Sequence, residues 1–368
     1  MPADFLDDFK EYVNAEMRGA GSPGAAIAII KDDRLVFLEG FGTRKAEKNT
    51  EQMPVDAHTV FRIGSLSKGF AGLLAAKLIE EDYFSWEDPV QTFLPGFQLK
   101  NTEQASRIAI KHILSHTSGL ARHAYTNLTE KGMSLKRILP HFSEVDVYGE
   151  EGKYYGYQNT AFSMIEEVIA QTTLRSFNEV LLSKIFIPAQ MNDASCTYSS
   201  LRQRENIALP HQYWRKRGRY VPIRLNQKYF NAVSAGGINA SISDMAQWMH
   251  VLMGNLPEIA SDELLDKVFD PMISTKRFGE YPLWSGLKNA SYGMGWRILN
   301  FKNRDLVYHG GTVNDYRSEI AVDRKNRIGI CVLFNAQNPV ANRIIRTFFK
   351  RYDQYQNEEE GFKFVSKT

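Results

Sequence analysis

The sequence predicts an α/β (α+β) protein in which N- and C-terminal segments build one antiparallel sheet flanked by helices, with a mostly helical lobe inserted between them. Three observations carry this: short β-prone apolar runs near both ends of the chain, amphipathic helical patterns outside them, and a long helix-patterned stretch in the middle. A sheet domain is expected from residues 1–80 together with 286–368, and an inserted helical domain from 81–285. A chain of 368 residues can enclose one or two cores of that kind.

Phe5, Leu6, Phe9, Tyr12, Val13 and Met17 recur at helical spacing until the stretch Gly19 to Gly24, which includes Pro23, breaks the pattern. Ala25 to Lys31 and Arg34 to Gly42 then form two apolar runs joined at Lys31-Asp32-Asp33, the pattern of an antiparallel hairpin. Late in the chain Leu306 to Gly310, Arg317 to Asp323 and Arg327 to Phe334 read as strands, the last two joined by the polar turn Arg324-Lys325-Asn326. Asn338 and Pro339 suit a helix N-terminus, and Val340, Ile344, Ile345, Phe348 and Phe349 give that closing helix an apolar face. Between the sheet segments, Met245, Trp248, Met249 and Leu252 follow the capping serines Ser241 and Ser243 with helical periodicity. A crevice between two such lobes is the natural place for a pocket.

Composition excludes several classes. Hydrophobic residues make up 43% and charged residues 24%, which argues against disorder, collagen and coiled coil. A net charge of +3 gives no field suited to a dedicated nucleic-acid binder. Arg215 to Arg219, flanked by Tyr213-Trp214 and Tyr220-Val221, reads as a solvated hairpin tip. No apolar run approaches the ~20 residues of a membrane-spanning helix, and no basic region followed by an apolar stretch marks a secretory signal. The chain as written is expected to be cytoplasmic, or exported if a leader has been removed. Cys196 and Cys331 lack metal or redox spacing and are expected to be buried thiols. His112 and His116 stand four apart without an evident third ligand, so no metal is expected.

In Gly64-Ser65-Leu66-Ser67-Lys68, a serine precedes a lysine by three positions at the start of a helical pattern through Leu73, Leu74, Ala76 and Leu78. One helical turn brings the Lys68 amine within reach of the Ser65 hydroxyl, while free N–H groups at the helix start can meet a developing anion. Tyr157-Gln158-Asn159 precedes a second helical run, and Tyr308-His309-Gly310-Gly311-Thr312 ends a strand with two glycines that allow a substrate to approach the strand edge. Gly-x-Ser-x-Gly, His-Glu-x-x-His and P-loop patterns are missing from the sequence, which removes the α/β-hydrolase, zincin and NTPase readings.

Ser65-x-x-Lys68, Tyr157-x-Asn159 and His309-Gly310-Gly311, in this order, resemble the motif set of class C serine β-lactamases and of the related penicillin-binding D,D-peptidases and esterases. Ser22-Pro23-Gly24, Leu114 to Leu120, Ser243 to Ala246 and Tyr292 to Trp296 look like further landmarks of that family. The resemblance implies a β-lactamase/transpeptidase-like fold and a serine acyl hydrolase that uses no cofactor and takes a small-molecule or peptide substrate. It implies Ser65 as nucleophile, Lys68 as its proton acceptor and Tyr157 as the proton shuttle that also activates water. Asn159 would hold Lys68 and a substrate carbonyl, the N–H groups of Ser65 and Thr312 would form an oxyanion hole, and Arg343 would lie near a substrate carboxylate. Where β-lactamases of this family carry Lys-Thr-Gly, this chain has His309-Gly310-Gly311. That exchange replaces a fixed cation by an imidazole that is half neutral near pH ~6.5 and removes a hydroxyl, which weakens the case for a β-lactam carboxylate and fits a shift towards uncharged esters or amides, or towards peptides held by other groups. β-Lactamase, D-alanyl carboxypeptidase and esterase activity stay open, as do the oligomeric state and a penicillin-binding sensor that is acylated without turning over.

Overall fold

The first helix forms where the apolar periodicity places it. α1 (Ala3–Ala20) buries Phe5, Phe9, Val13 and Met17, and Gly21 ends it in the left-handed conformation with φ 60°. The computed structural model describes residues 1–47, 53–275 and 284–365. After α1 come the hairpin strands β1 (Gly24–Lys31) and β2 (Arg34–Gly42). Asp32 and Asp33 turn between them with φ 49° and 62°, the positive values a two-residue hairpin turn needs. Two short strands, β3 (Phe61–Arg62) and β6 (Asn239–Ala240), pair with each other away from the main sheet, and β4 (His211–Trp214) pairs with β5 (Arg219–Pro222).

The main sheet is completed by β7 (Ile273–Ser274), β8 (Asn289–Tyr292), β9 (Arg297–Asn300), β10 (Asp305–Val313), β11 (Tyr316–Asp323) and β12 (Ile328–Phe334). Its order is β2-β1-β12-β11-β10-β9-β8-β7, with antiparallel neighbours throughout. The N-terminal hairpin thus joins the C-terminal strands through β1 and β12, with Ala28 opposite Cys331. Because side chains alternate between faces, β12 divides its apolar residues. Ile330, Val332 and Phe334 meet one core with α1, while Cys331 and Leu333 face the other. The first core is closed by α6 (Ala341–Val365), whose Ile344, Ile345 and Phe348 are fully buried.

The opposite face of the sheet carries α2 (Ser67–Glu80), α4 (Ile242–Leu252) and α5 (Asp262–Phe269). The same core continues into the helical region, where α3 (Met164–Thr173) contributes Ile165, Val168 and Ile169. α4 begins at a capping box in which Ser241 Oγ accepts from the Asp244 N–H and the Asp244 carboxylate accepts from the Ser241 N–H. The basic stretch at 215–219 forms the tip of the β4–β5 hairpin, with the Arg217 guanidinium 3.9 Å from the Trp214 ring centroid. Both cysteines are free and buried. Among the described residues no helix is long and apolar enough to cross a membrane.

Candidate active site

Ser65 lies in a single 3₁₀ turn, Gly64–Leu66, that runs directly into α2. The Ser67 hydroxyl donates to the Gly64 carbonyl at 2.7 Å and accepts from the Ile238 N–H at 3.2 Å, which ties this turn to β6. α2 is buried on almost every side, so Lys68, one turn beyond Ser65, is fully buried as well. Burial is the main reason its amine is held well below the ordinary lysine range, and the Arg297 charge adds to the effect.

The amine has three neighbours. Asn159 Oδ1 lies at 2.8 Å, the Ala235 carbonyl at 2.7 Å and Ser65 Oγ at 3.4 Å. The amide and backbone oxygens can only accept. A neutral amine therefore spends its two N–H groups on them and turns its lone pair towards the Ser65 hydroxyl, as a general base requires. Tyr157 reaches the same hydroxyl at 3.0 Å, and its ring stands between two basic side chains, with Lys68 Nζ 4.8 Å and the Arg297 guanidinium 5.7 Å from the centroid. His116 supports that ring from below at 4.2 Å. The His116 Nδ1 accepts from the Gln158 N–H at 3.2 Å, and burial, with Lys68 second, holds the imidazole neutral. Ser65, Lys68, Tyr157 and Asn159 are thus brought together from elements nearly a hundred residues apart, with Ser65 and Tyr157 separated by 92 positions in the sequence.

β10 passes directly behind the Ser65 turn. A Cβ on Gly311 would lie 2.2 Å from the Ile63 carbonyl and 3.0 Å from the Ser65 nitrogen, and a Cβ on Gly64, at φ +53°, would lie 2.7 Å from the Thr312 nitrogen. Glycine at both places lets the two backbones touch. The Thr312 side chain is exposed, and its Oγ1 accepts from Arg317 Nη1 at 3.3 Å. Gly310 is half-buried on the same strand, with the Arg317 guanidinium beside it.

Two residues of the expected set have other partners. His309 is fully buried: its Nδ1–H donates to the Gly310 carbonyl at 2.8 Å, and Nε2 accepts from the Tyr292 hydroxyl at 3.1 Å. Burial first, then Arg297 and Lys68, keep its pKa well below 6.5, so it supplies no cation. Its place on the inward-facing register of β10, opposite the buried Ile320, causes this. Arg343 lies on α6, across the sheet from Ser65, and its guanidinium is paired with Glu16 of α1 at 2.7 Å. Among the described residues no group of three or more His, Cys, Asp or Glu is arranged to hold a metal ion. His112 Nδ1 instead accepts from the Ala109 N–H at the start of a short helix.

Several contributors lie outside the sequence motifs. The Ala235 acceptor is a backbone oxygen, which leaves no trace in residue type. It is placed by Glu166 of α3, whose Oε1 accepts from the Ser234 N–H at 2.7 Å and the Ser234 hydroxyl at 2.6 Å. Arg297 follows the Tyr292 to Trp296 landmark directly, and a cation at that position was a signal available to be read. Tyr229, which accepts from Asn159 Nδ2 at 2.9 Å, had no such signal.

An antiparallel sheet between two helical layers, with serine, lysine, tyrosine and asparagine meeting at the start of the central helix, defines a β-lactamase/penicillin-binding-protein-like serine hydrolase scaffold. A family profile described as Beta-lactamase matches residues 9–352, and the chain belongs to that family. The octameric penicillin-binding protein homologue from Pyrococcus abyssi superimposes with a TM-score of 0.81 at 25% identity, covering 94% of this chain and 77% of that one. Protein flp of Staphylococcus aureus (strain N315) is 23% identical over 349 residues, which is 93% of this chain and 65% of that protein. The Unguisins hydrolase ungD' of Aspergillus campestris (strain IBT 28561) is 24% identical over 332 residues, 87% of this chain and 60% of that protein. The chain thus spans less than two thirds of the length of these curated relatives.

Proposed function

We propose that the protein is a serine acyl hydrolase of class C β-lactamase-like type that acts on an amide or ester through an acyl-enzyme at Ser65. The observation that carries this is the buried Lys68 amine, its pKa held well below the ordinary lysine range, facing a serine hydroxyl that Tyr157 also contacts. Lys68 accepts the Ser65 proton as Oγ bonds to the substrate carbonyl carbon, and the oxyanion so formed is met by the N–H groups of Ser65 and Thr312. The leaving amine or alcohol departs with a proton passed through Lys68 and Tyr157. Water then attacks the acyl carbon and gives a proton to the Tyr157 oxygen as the phenol passes its own proton to Lys68, which returns a proton to Ser65 Oγ as the acyl–oxygen bond breaks.

The burial of His309 bears on the substrate. A motif that gives no cation at this strand favours neutral esters and amides, including small esters and D-alanyl peptides, over carboxylate-anchored β-lactams. Intact-mass measurement after exposure to benzylpenicillin, a nitrophenyl ester and a D-Ala-D-Ala peptide tests the reading. An adduct that forms and decays is expected with the ester at least. A permanent adduct without steady-state turnover would favour a binding-only sensor, and no adduct with any of the three would contradict acyl-enzyme chemistry.

A further inference from the structure

Behind Asn159 runs a polar chain that leads out of the site. Asn159 Nδ2–H donates to Tyr229 Oη at 2.9 Å, the Tyr229 hydroxyl donates to Glu130 Oε1 at 3.2 Å, and Lys228 Nζ donates to Glu130 Oε2 at 3.1 Å. Tyr229 is itself held in a conformation unusual for a bulky residue, with φ 66°. Its loop is clamped on both sides. The fully buried Arg62, three residues before Ser65, donates to the Asn226 carbonyl, to Asn226 Oδ1 and to the Lys228 carbonyl. Asn231 Nδ2 donates to the carbonyls of Thr129 and Met133. Much of the local structure thus serves to set one phenol hydroxyl against Asn159.

We propose that Tyr229, aligned by Glu130, is a positioning residue that fixes which way the Asn159 carboxamide faces and so keeps Lys68 directed at Ser65. The proposal rests on the acyl-enzyme reading above. The Glu130 carboxylate can only accept, so it takes the Tyr229 proton and leaves the phenol lone pair for Asn159. The lone pair requires an N–H there. Asn159 must then present Oδ1 to Lys68, where the opposite orientation would set an NH₂ group against the amine. Lys228 anchors Glu130 through their ion pair at 3.1 Å.

The charged and titratable groups around Lys68 define the test. Arg297 of β9 and the neutral His309 of β10 face it from the sheet side, the neutral His116 from the helical region, Tyr157 faces it from its loop, and the Glu130–Lys228 pair is reached through Tyr229. The Asn159 Oδ1 bond stabilises the charged amine, so a carboxamide free to turn lowers the pKa of Lys68. The acid limb of the acylation rate against pH then moves to lower pH.

The experiment measures acylation by a nitrophenyl ester across pH 5–9 in the full chain, by stopped flow and intact mass, with Tyr229→Phe, Glu130→Ala, Glu130→Gln and the Tyr229→Phe/Glu130→Ala pair. Tyr229→Phe is expected to slow acylation by roughly 10- to 100-fold and to move the acid limb down by up to about one pH unit. Its ester affinity should stay within about threefold. Glu130→Ala should reproduce both effects, Glu130→Gln should fall between it and the wild type, and the pair should lose no more than Tyr229→Phe alone. If Tyr229→Phe does not fold, the two Glu130 variants decide by the same criteria. A wild-type protein that forms no Ser65 adduct overturns the acyl-enzyme reading and this proposal with it. A wild type that is acylated, beside a folded Tyr229→Phe or Glu130→Ala variant with an unmoved acid limb and wild-type rate, overturns this proposal alone. Additive losses in the pair overturn it too.

Discussion

Gly311→Ala is the smallest change that should separate the strand behind the site from the nucleophile. The added methyl would sit 2.2 Å from the Ile63 carbonyl and 2.5 Å from Ser318 Oγ, against an ordinary contact of 3.4 Å or more. These two atoms are also hydrogen-bonded to each other, Ser318 Oγ–H donating to the Ile63 carbonyl at 2.6 Å, so the methyl drives a wedge into a buried bond. Relief requires β10 and the Ser65 turn to part by roughly an ångström. Overpacking of that kind costs about 1–3 kcal/mol of stability, and the lost buried hydrogen bond adds about 1 kcal/mol. A displacement of about 1 Å between the Ser65 and Thr312 N–H groups should slow acylation about 10²-fold. Gly310→Ala is the control from the same strand, since its methyl would meet only the ends of the Arg317 and Tyr308 side chains at 3.0 and 3.2 Å, and these can turn aside. It should lose less than about tenfold. Urea denaturation and ester acylation rates on both variants provide the measurement. Equal, small losses in the two would refute the idea that the Ser65 turn and β10 are held at contact distance by Gly311.

Three further outcomes are expected. Tyr157→Phe should lower turnover by about 10² to 10⁴-fold with little change in substrate affinity; turnover within a few-fold of wild type at all pH values would make Tyr157 a packing residue. Burial raises the Glu166 carboxyl from 4.5 to about 7 despite two hydrogen bonds from Ser234. The folded protein therefore holds this proton more tightly than the unfolded chain, and stability falls as pH climbs from about 4.5 to 7, by about 3 kcal/mol. Glu166→Gln should remove that slope in urea titrations at pH 5 and pH 8, and a pH-independent difference between the two proteins would contradict it. Because His309 stays neutral, matched anionic and neutral esters should share one acid limb in kcat/KM against pH. A titration near pH 6.5 confined to the anionic ester and lost in His309→Gln would show that the imidazole meets the substrate after all.

What the sequence shows and what it hides follow from the range over which each signal acts. β1, β2, β11 and β12 are long apolar runs bounded by turns, and their positions are legible. β7, β8 and β9 have only two to four residues each, too few for a period to emerge, and they were not read as strands although they complete the sheet. Ser65 and Lys68 are legible because one helical turn relates them, and Tyr157 with Asn159 because a side-chain motif marks them. The Ala235 carbonyl carries no side chain to notice, and Tyr229 stands 70 residues from the asparagine it touches. Residue type shows that His309 can be charged; only the strand register shows that it faces inward. Arg343 was placed by resemblance, and its actual neighbour, Glu16, lies 327 residues away on another helix.

Peptide mapping of the covalent adduct left by a fluorophosphonate or a slow ester tests the central claim most directly. The added mass is expected on the peptide containing Ser65, and Ser65→Ala should abolish it with the fold intact by circular dichroism. Labelling that survives in Ser65→Ala, or that maps to a peptide without Ser65, would contradict the account.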